Sequence, residues 1–404
     1  MSGNAAGVAC AVLLTRAMSW GCLLDGALRR RAADAAERII EIAVGEGRDG
    51  KGLREAGGRA SLLFYGGREA SAAEELDVLL AGVGSQSWGV GLWGGLAGIR
   101  FTVAHLAGGE EADEALAALD DALGRSVDVD VWNHDYDLIG GLAGIGVALL
   151  EGNRDDARTI AARVLDHLER NSQREPTGTT WYTSPELLPP WQREICPDGH
   201  FNFGLAHGIP GAIGFLSRLI DAGIEVDRAQ ALLDGATAWM RAAVPPRAPA
   251  RFPSWRGRGA ADEPARLAWC YGDPGVAITL LAAARTTGDA ALEAEALAMG
   301  HAMAARPVET SGVRDAGICH GAAGVAHIFN RMYQATGDEV LGDAARGWIE
   351  RLLAMADPMD GGVRDASVLM GTTGVGLVLL AATTEVEPAW DRAILCDILP
   401  GAVS

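Results

Sequence analysis

The sequence of 404 residues lacks the features that define several protein classes. Its six cysteines are scattered without a C-x-x-C pair, so we expect no disulfide framework and a cytoplasmic location. Acidic residues outnumber basic ones by 53 to 34, which argues against binding to nucleic acid or to anionic membranes. The apolar stretch near the N-terminus is too short to span a bilayer, so we also predict no stable membrane insertion.

Glycine, in contrast, is abundant and recurs in a pattern. Six segments contain G-x-x-G followed by an apolar run, and their first glycines are Gly95, Gly141, Gly208, Gly272, Gly321 and Gly371. Their successive spacings are 46, 67, 64, 49 and 50 residues. Glycine permits close backbone packing at a sharp turn, and a period near 50 fits one pair of helices per repeat.

The helices predicted in each repeat differ in polarity. The helix after a glycine turn is almost uncharged, as in residues 376–380, whereas its partner is amphipathic, as in residues 344–355. Apolar helices are buried and amphipathic helices face water, which predicts an inner and an outer layer. We therefore predict an all-α protein, an α/α toroid, as a single domain over residues 1–404, with the glycine turns at one end of the ring.

Three segments depart from this repeat. Residues 1–28 are predicted as a helix or a frayed tail. Residues 171–203 and 245–264 are loop insertions, the first predicted to form a small hairpin beside the mouth of the ring. Long loops in a compact repeat are where substrate contacts tend to lie.

Three of the six turns carry side chains that can bind metal or transfer protons. Cys270 and Cys319 each lie two residues before the first glycine of a turn, and His207 and His320 lie directly before it. A toroid would bring these turns together at its mouth. Two thiolates and one imidazole leave a fourth tetrahedral position open, which is typical of a catalytic zinc.

An open zinc site suggests chemistry on a substrate thiol. The metal would lower the pKa of that thiol, and the thiolate would need an electrophile. His207 could supply a proton to the resulting anion, and Arg266 could stabilise a developing enolate.

The order Ala-His-Gly (206–208), Trp-Cys-Tyr-Gly (269–272) and Cys-His-Gly (319–321) resembles the lanthionine synthetase C-like cyclases. The Gly-Leu-Ala-Gly copies upstream fit as well, so the resemblance covers residues 88–380. It implies an α/α toroid of about seven helical pairs, although only six glycine turns are visible in the sequence. The length resembles the stand-alone cyclases of class I lanthipeptide pathways, without a preceding dehydratase or kinase domain.

The resemblance also implies the reaction and its residues. The family adds a peptide cysteine thiol to dehydroalanine or dehydrobutyrine, which forms lanthionine or methyllanthionine. The implied residues are zinc ligands Cys270, Cys319 and His320, acid/base residue His207, catalytic residues Asp137, Arg266 and Tyr271, and substrate-binding Trp269. The implied partners are a dehydrated precursor peptide and a complex with a dehydratase and an exporter at the inner face of the membrane.

Several alternatives stay open at this point. The enzyme could add a small thiol such as glutathione, or the chain could be a non-catalytic peptide-binding scaffold. Prenyltransferases and terpene cyclases also use helical barrels, but no D-D-x-x-D motif or basic cluster lies near these turns. Asp137 could instead cap a helix, Arg266 could pair with Glu263, and Trp269 and Tyr271 could be packing residues.

Overall fold

A computed structural model describes residues 9–10, 20–46, 55–244, 250–257, 263, 265–355 and 366–398. Its α-helices are α1 (Gly26–Glu46), α2 (Ala56–Tyr65), α3 (Glu69–Gly82), α4 (Leu96–Leu106), α5 (Glu110–Val127), α6 (Leu142–Leu150), α7 (Asp155–Arg170), α8 (Pro190–Ile195), α9 (Ile209–Asp221), α10 (Val226–Ala243), α11 (Asp273–Thr287), α12 (Ala290–Ala304), α13 (Ala322–Thr336), α14 (Glu339–Met355) and α15 (Thr372–Thr383). Its short strands are β1 (Ala9–Cys10), β2 (Ala107–Gly108), β3 (Gln173–Glu175), β4 (Gly178–Thr180), β5 (Tyr182–Thr183), β6 (His200–Asn202) and β7 (Trp255–Arg256). No helix in the described part of the chain is both long enough and apolar enough to cross a membrane.

Seven inner helices form a closed ring. They are α2, α4, α6, α9, α11, α13 and α15; each packs against the next, and α15 packs against α2. In α11 every residue from Asp273 to Ala284 is buried, as the uncharged inner helices predict. Six outer helices each follow their inner partner, and α1 packs on α15 to complete the seventh pair. The predicted α/α toroid is therefore confirmed.

The seventh helical pair, α1 with α15, was not evident in the sequence, and neither was the inner helix α2, which closes the ring against α15. Helix α2 begins at Ala56 without a preceding G-x-x-G turn. The outer partner of α15 is α1, which lies at the opposite end of the sequence. Two paired helices that lie at opposite ends of the sequence produce no repeat at the spacing of about 50 residues. The structure was therefore needed to identify the seventh pair.

The second glycine of each turn is required by close packing. A Cβ on Gly324 would lie 1.9 Å from the carbonyl oxygen of Ile318, which no side chain tolerates. Backbone hydrogen bonds then link one turn to the next, for example Cys319 N to Leu369 O at 2.8 Å. The turns are consequently held in register around one end of the ring, which we call the mouth.

The centre of the ring is filled by residues 388–398, which we call the C-terminal plug. It contains a 3-10 helix (Ala389–Ile394), and Trp390, Ile394 and Cys396 are buried among the inner helices. Its charged contacts include Arg392 with Glu151 at 3.0 Å, adjacent to the last residue of α6 and remote from the mouth. The plug was not predicted from the sequence.

The irregular segments fall near the mouth or at the N-terminus. Strands β3 and β4 form the hairpin predicted for residues 171–203, and β5, β6 and β7 form a small sheet that includes part of the second insertion. Residues 245–249, 258–262 and 264 of that insertion lie outside the described residues. Of the predicted N-terminal tail, residues 1–8 and 11–19 also lie outside them, while Trp20 is buried and donates its indole N–H to Ala381 O at 2.9 Å. The chain is therefore packed from residue 20, rather than frayed up to residue 28.

Candidate metal centre

Hydrogen bonds between adjacent turns place the two cysteines side by side. Cys270 lies in the turn before α11, and Cys319 lies in the turn before α13. The backbone N–H of Cys270 donates to the carbonyl of Cys319 at 3.0 Å, and Ala206 N–H donates to Cys270 O at 3.4 Å. We call a residue's position relative to the first glycine of its turn its slot. Because the turns are in register, Cys270 and Cys319, which occupy the same slot, become neighbours although they are 49 positions apart in the sequence.

The ligand atoms of Cys270, Cys319 and His320 all lie within 4.8 Å of one another. This spacing suits one zinc ion, which bonds thiolate sulfur and imidazole nitrogen at about 2.0–2.3 Å. In the described part of the chain, no other three His, Cys, Asp or Glu side chains form such a group. The predicted ligand set is therefore assembled in space.

The two thiols share a proton rather than ionising independently. A hydrogen bond from Cys319 lowers the pKa of Cys270 to about 5; burial opposes this shift, and His320 assists it. The same bond raises the pKa of Cys319, because a second thiolate would lie against the first. Both sulfurs can be deprotonated together only when a cation lies between them, so the donor set fits a divalent metal.

Asp315 holds the third ligand and was missed by the sequence analysis. Its Oδ2 lies 3.3 Å from Nε2 of His320, and its Oδ1 accepts the backbone N–H of Gly317 at 3.0 Å. A carboxylate on one ring nitrogen is the usual partner of a metal-binding histidine, and it leaves Nδ1 for the metal. Its position, six residues before the first glycine of its turn, was the signal that could have identified it.

His207 and Asp137 form a second functional pair at the mouth. Nδ1 of His207 lies 2.6 Å from Oδ2 of Asp137, while Asp137 Oδ1 accepts the N–H groups of Gly140 and Gly141 at 2.9 Å. Burial opposes protonation of His207, but the hydrogen bond and the charge of Asp137 raise its pKa above the usual value. Asp137 thus caps the turn and orients the histidine at once, which joins the two roles that the sequence left open.

Tyr271 lies against His207, with ring centroids 6.0 Å apart and planes inclined by 26°. Its hydroxyl oxygen accepts a hydrogen bond from Asn202 Nδ2 at 3.4 Å. Asn202 is oriented because its Oδ1 accepts the N–H of Gly204 at 2.9 Å. Burial raises the pKa of Tyr271 to about 12, so the phenol keeps its proton near neutral pH.

The hydrogen-bond network continues to a buried histidine. Nδ2 of Asn202 also lies 3.2 Å from His200 Nε2, which must therefore act as an acceptor. Burial lowers the pKa of His200 to about 4, which agrees with a neutral ring. The Tyr271 hydroxyl also interacts with the side chain of Gln192, so it belongs to a network of polar side chains at the mouth.

Arg266 and Trp269 differ in exposure and in their hydrogen-bond partners. Arg266 is exposed, and in the described residues it has no hydrogen bond or ion pair, including none with Glu263. Its charge adds to the lowering of the Cys270 pKa, after the larger effect of Cys319. Trp269 is fully buried and donates its indole N–H to Ile394 O of the plug at 2.8 Å, so its position gives a substrate no surface to contact.

Comparisons with known proteins agree with this geometry. A family model described as lanthionine synthetase C-like protein matches residues 70–395. Nisin biosynthesis protein NisC of Lactococcus lactis subsp. lactis is 30% identical over 134 residues, which are 30% of this chain and 31% of that protein. The matched segment thus spans about a third of that relative. The solved structure of nisin cyclase superposes with a TM-score of 0.74 at 19% identity, covering 89% of this chain and 96% of the other.

Proposed function

The chain belongs to the lanthionine synthetase C-like family, and we propose that it is a zinc-dependent lanthipeptide cyclase. In this proposal it adds cysteine thiols of a dehydrated peptide to dehydroalanine or dehydrobutyrine and so forms lanthionine or methyllanthionine rings. The observation that carries the proposal is the Cys270, Cys319 and His320 group, which lies at the same mouth as the His207–Asp137 pair.

The ligand set supports a catalytic metal because, within the described residues, it supplies three side chains and no fourth. Zinc held there would lower the pKa of an entering thiol and present it as a thiolate near neutral pH. Cys270, Cys319 and His320 would hold the ion, and Asp315 would fix the ring of His320.

The reaction replaces an S–H bond and a π bond with a C–S bond and a C–H bond. The substrate thiol releases its proton to solvent and its sulfur bonds to Cβ of the dehydro residue, the π bond between Cα and Cβ breaks while their single bond remains, and Cα gains a proton. His207 is the proposed proton donor to Cα, since Asp137 orients the ring and its side chain is 43% exposed. No oxidant or reductant is consumed, because the product is an isomer of the substrate.

Before Cα is protonated, negative charge develops on the carbonyl oxygen of the dehydro residue. A hydrogen-bond donor would stabilise this charge. Tyr271 is the proposed hydrogen-bond donor, since its phenol keeps its proton near neutral pH and its ring lies against His207. Arg266 is proposed to add positive charge, which its unpaired state in the described residues leaves available. We assign Trp269 to packing between the mouth and the plug.

The chemistry of the proposed substrate determines which reaction must come before cyclisation. Dehydroalanine and dehydrobutyrine arise from serine and threonine, so a dehydratase must act first. A complex with that enzyme and an exporter, and a location on the cytoplasmic side, stay predictions of the sequence.

The decisive experiment compares two cysteine variants. Cys270→Ala is expected to contain much less than one zinc per chain and to leave the thiols of a dehydrated peptide free, as counted by alkylation and mass. Cys196→Ala is the matched control, because Cys196 is a buried free cysteine outside the cluster. Full zinc content and cyclisation in Cys270→Ala would contradict the proposal. A gain in mass when a peptide lacking cysteine is given free glutathione would favour addition of a small thiol instead.

A further inference from the structure

The ring of turns has one open position. Backbone hydrogen bonds connect neighbouring turns in order, from Trp93 N to Ile139 O at one end to Cys319 N to Leu369 O at the other. In the described residues no such bond joins the turn of Leu369 to that of Trp93. Helix α2 lies between them, and it is the inner helix without a glycine turn.

A cavity of about 360 Å³ occupies this open position. Its walls come from the start of α2, from the turn before α4 and from the turn before α15, and the plug forms its floor. The cavity lies within the range of about 300–1,000 Å³ that is usual for ligand sites. Its lining is mainly apolar and aromatic and includes Trp88, Trp93, Phe101, Met370 and Trp390.

The lining carries little charge. Among the described lining residues Glu55 alone is ionisable and none is basic, so the cavity offers no counter-charge to an anionic ligand. An apolar group placed in it would leave water, which favours binding of an apolar side chain.

The cavity adjoins the candidate metal centre. Leu369 lines it, and the carbonyl of Leu369 accepts the backbone N–H of the metal ligand Cys319 at 2.8 Å. An extended peptide advances by about 3.3–3.6 Å per residue, so residues close to a cysteine held at the metal could reach this cavity. A peptide can supply an apolar side chain that matches the apolar lining of this cavity.

We propose that this cavity is a specificity subsite that binds an apolar side chain of the peptide substrate, near the reacting cysteine in the sequence. The subsite rests on the proposed function for its occupant, but its preference for apolar residues is measurable without any reaction.

The test uses two short peptides that contain dehydroalanine and have serine in place of the reacting cysteine. One carries leucine residues around that serine, and the other carries asparagine. Binding is followed by intrinsic fluorescence, since Trp88, Trp93 and Trp390 line the cavity, and by calorimetry. The leucine peptide is expected to bind about tenfold more tightly to the zinc-loaded protein. Equal affinities for both peptides would overturn the proposal.

Two variants locate the preference in the cavity. Ser61→Phe adds a ring from α2 and is expected to abolish the leucine preference while zinc content stays unchanged. Ser126→Phe is the matched control, because Ser126 is also a half-buried helical serine whose hydroxyl binds the preceding turn, but it lies on α5 away from the cavity. A leucine preference that survives in Ser61→Phe would contradict the assignment. If that variant fails to fold, Ala393→Leu fills the cavity from the plug and must give the same result.

With the unsubstituted cysteine peptides, cyclisation without a leucine preference would refute the subsite alone, and a preference without cyclisation would refute the proposed function alone.

Discussion

The mouth and the C-terminal plug both contain ionisable side chains but satisfy their charges differently. At the plug, Asp391 receives hydrogen bonds from Arg331 at 2.6 and 2.8 Å and lies 2.7 Å from His327 Nε2. At the mouth, two thiols and an imidazole compete for protons, and Arg266 has no partner in the described residues. The charge of Asp391 is therefore balanced by a side chain of the protein itself, whereas the proposed mouth needs a cation and a substrate.

This difference distinguishes pKa shifts that reflect structure from pKa shifts that reflect a functional site. Buried charges in both regions have shifted pKa values, so a shift alone does not identify a site. The pKa of Asp391 is lowered although burial opposes it, because Arg331 and His327 are permanent partners. The pKa values of Cys270 and Cys319 move in opposite directions because they lack such a partner. Substitutions at the plug should therefore reduce stability, and substitutions at the mouth should reduce activity.

The largest effect is expected from His207→Ala at the mouth. Loss of a positioned general acid slows a reaction by about 10²–10⁴-fold, so cyclisation should fall by that factor with zinc content unchanged. His134→Ala is the control, since His134 is an exposed histidine on the same rim and has no hydrogen bond to Asp137. Initial rates of thiol loss measure the effect, and a rate like that of the wild type would remove His207 from the mechanism.

At the plug, Asp391→Ala is expected to lower the free energy of unfolding by about 3–5 kcal/mol, because it leaves Arg331 buried without its main counter-charge. Asp121→Ala breaks the ion pair of Asp121 with Arg125 on the surface of α5, and it should cost less than about 1 kcal/mol. Urea denaturation measures both values. A small loss in Asp391→Ala would mean that the plug is less important for the ring than its burial suggests.

The contrast between the mouth and the plug also explains what the sequence could predict. The mouth is built from one repeated local motif, so matching slots in the sequence become neighbours in space, as with Cys270 and Cys319. The plug has no repeat, and its contacts join residues far apart, such as Arg218 with Asp397. A pattern of apolar residues does not indicate which distant segment will fill a ring.

Trp269 and Cys270 show the limit of motif reasoning at the level of single residues. Both belong to the same motif, yet Trp269 binds the plug and Cys270 lies at the mouth. A motif can therefore serve packing and chemistry at neighbouring positions. The slot of Asp315 escaped notice because its occupants in other turns differ in chemistry, for example Asn202 and Arg266.

The smallest of these effects is expected from Asp315→Asn. This variant tests whether zinc affinity depends on the contact of Asp315 with His320 or on a carboxylate at this position in any turn. The amide can still accept the N–H of Gly317, but it loses the charge beside His320. Partners of this kind contribute about 10–100-fold to metal affinity, so competition with a chelator should show zinc bound that much more weakly. Asp135→Asn changes the same slot of another turn, where no metal ligand lies in contact, and should leave zinc affinity unchanged. If both variants lost affinity equally, the slot itself would stabilise the mouth, and the contact with His320 would have no special role.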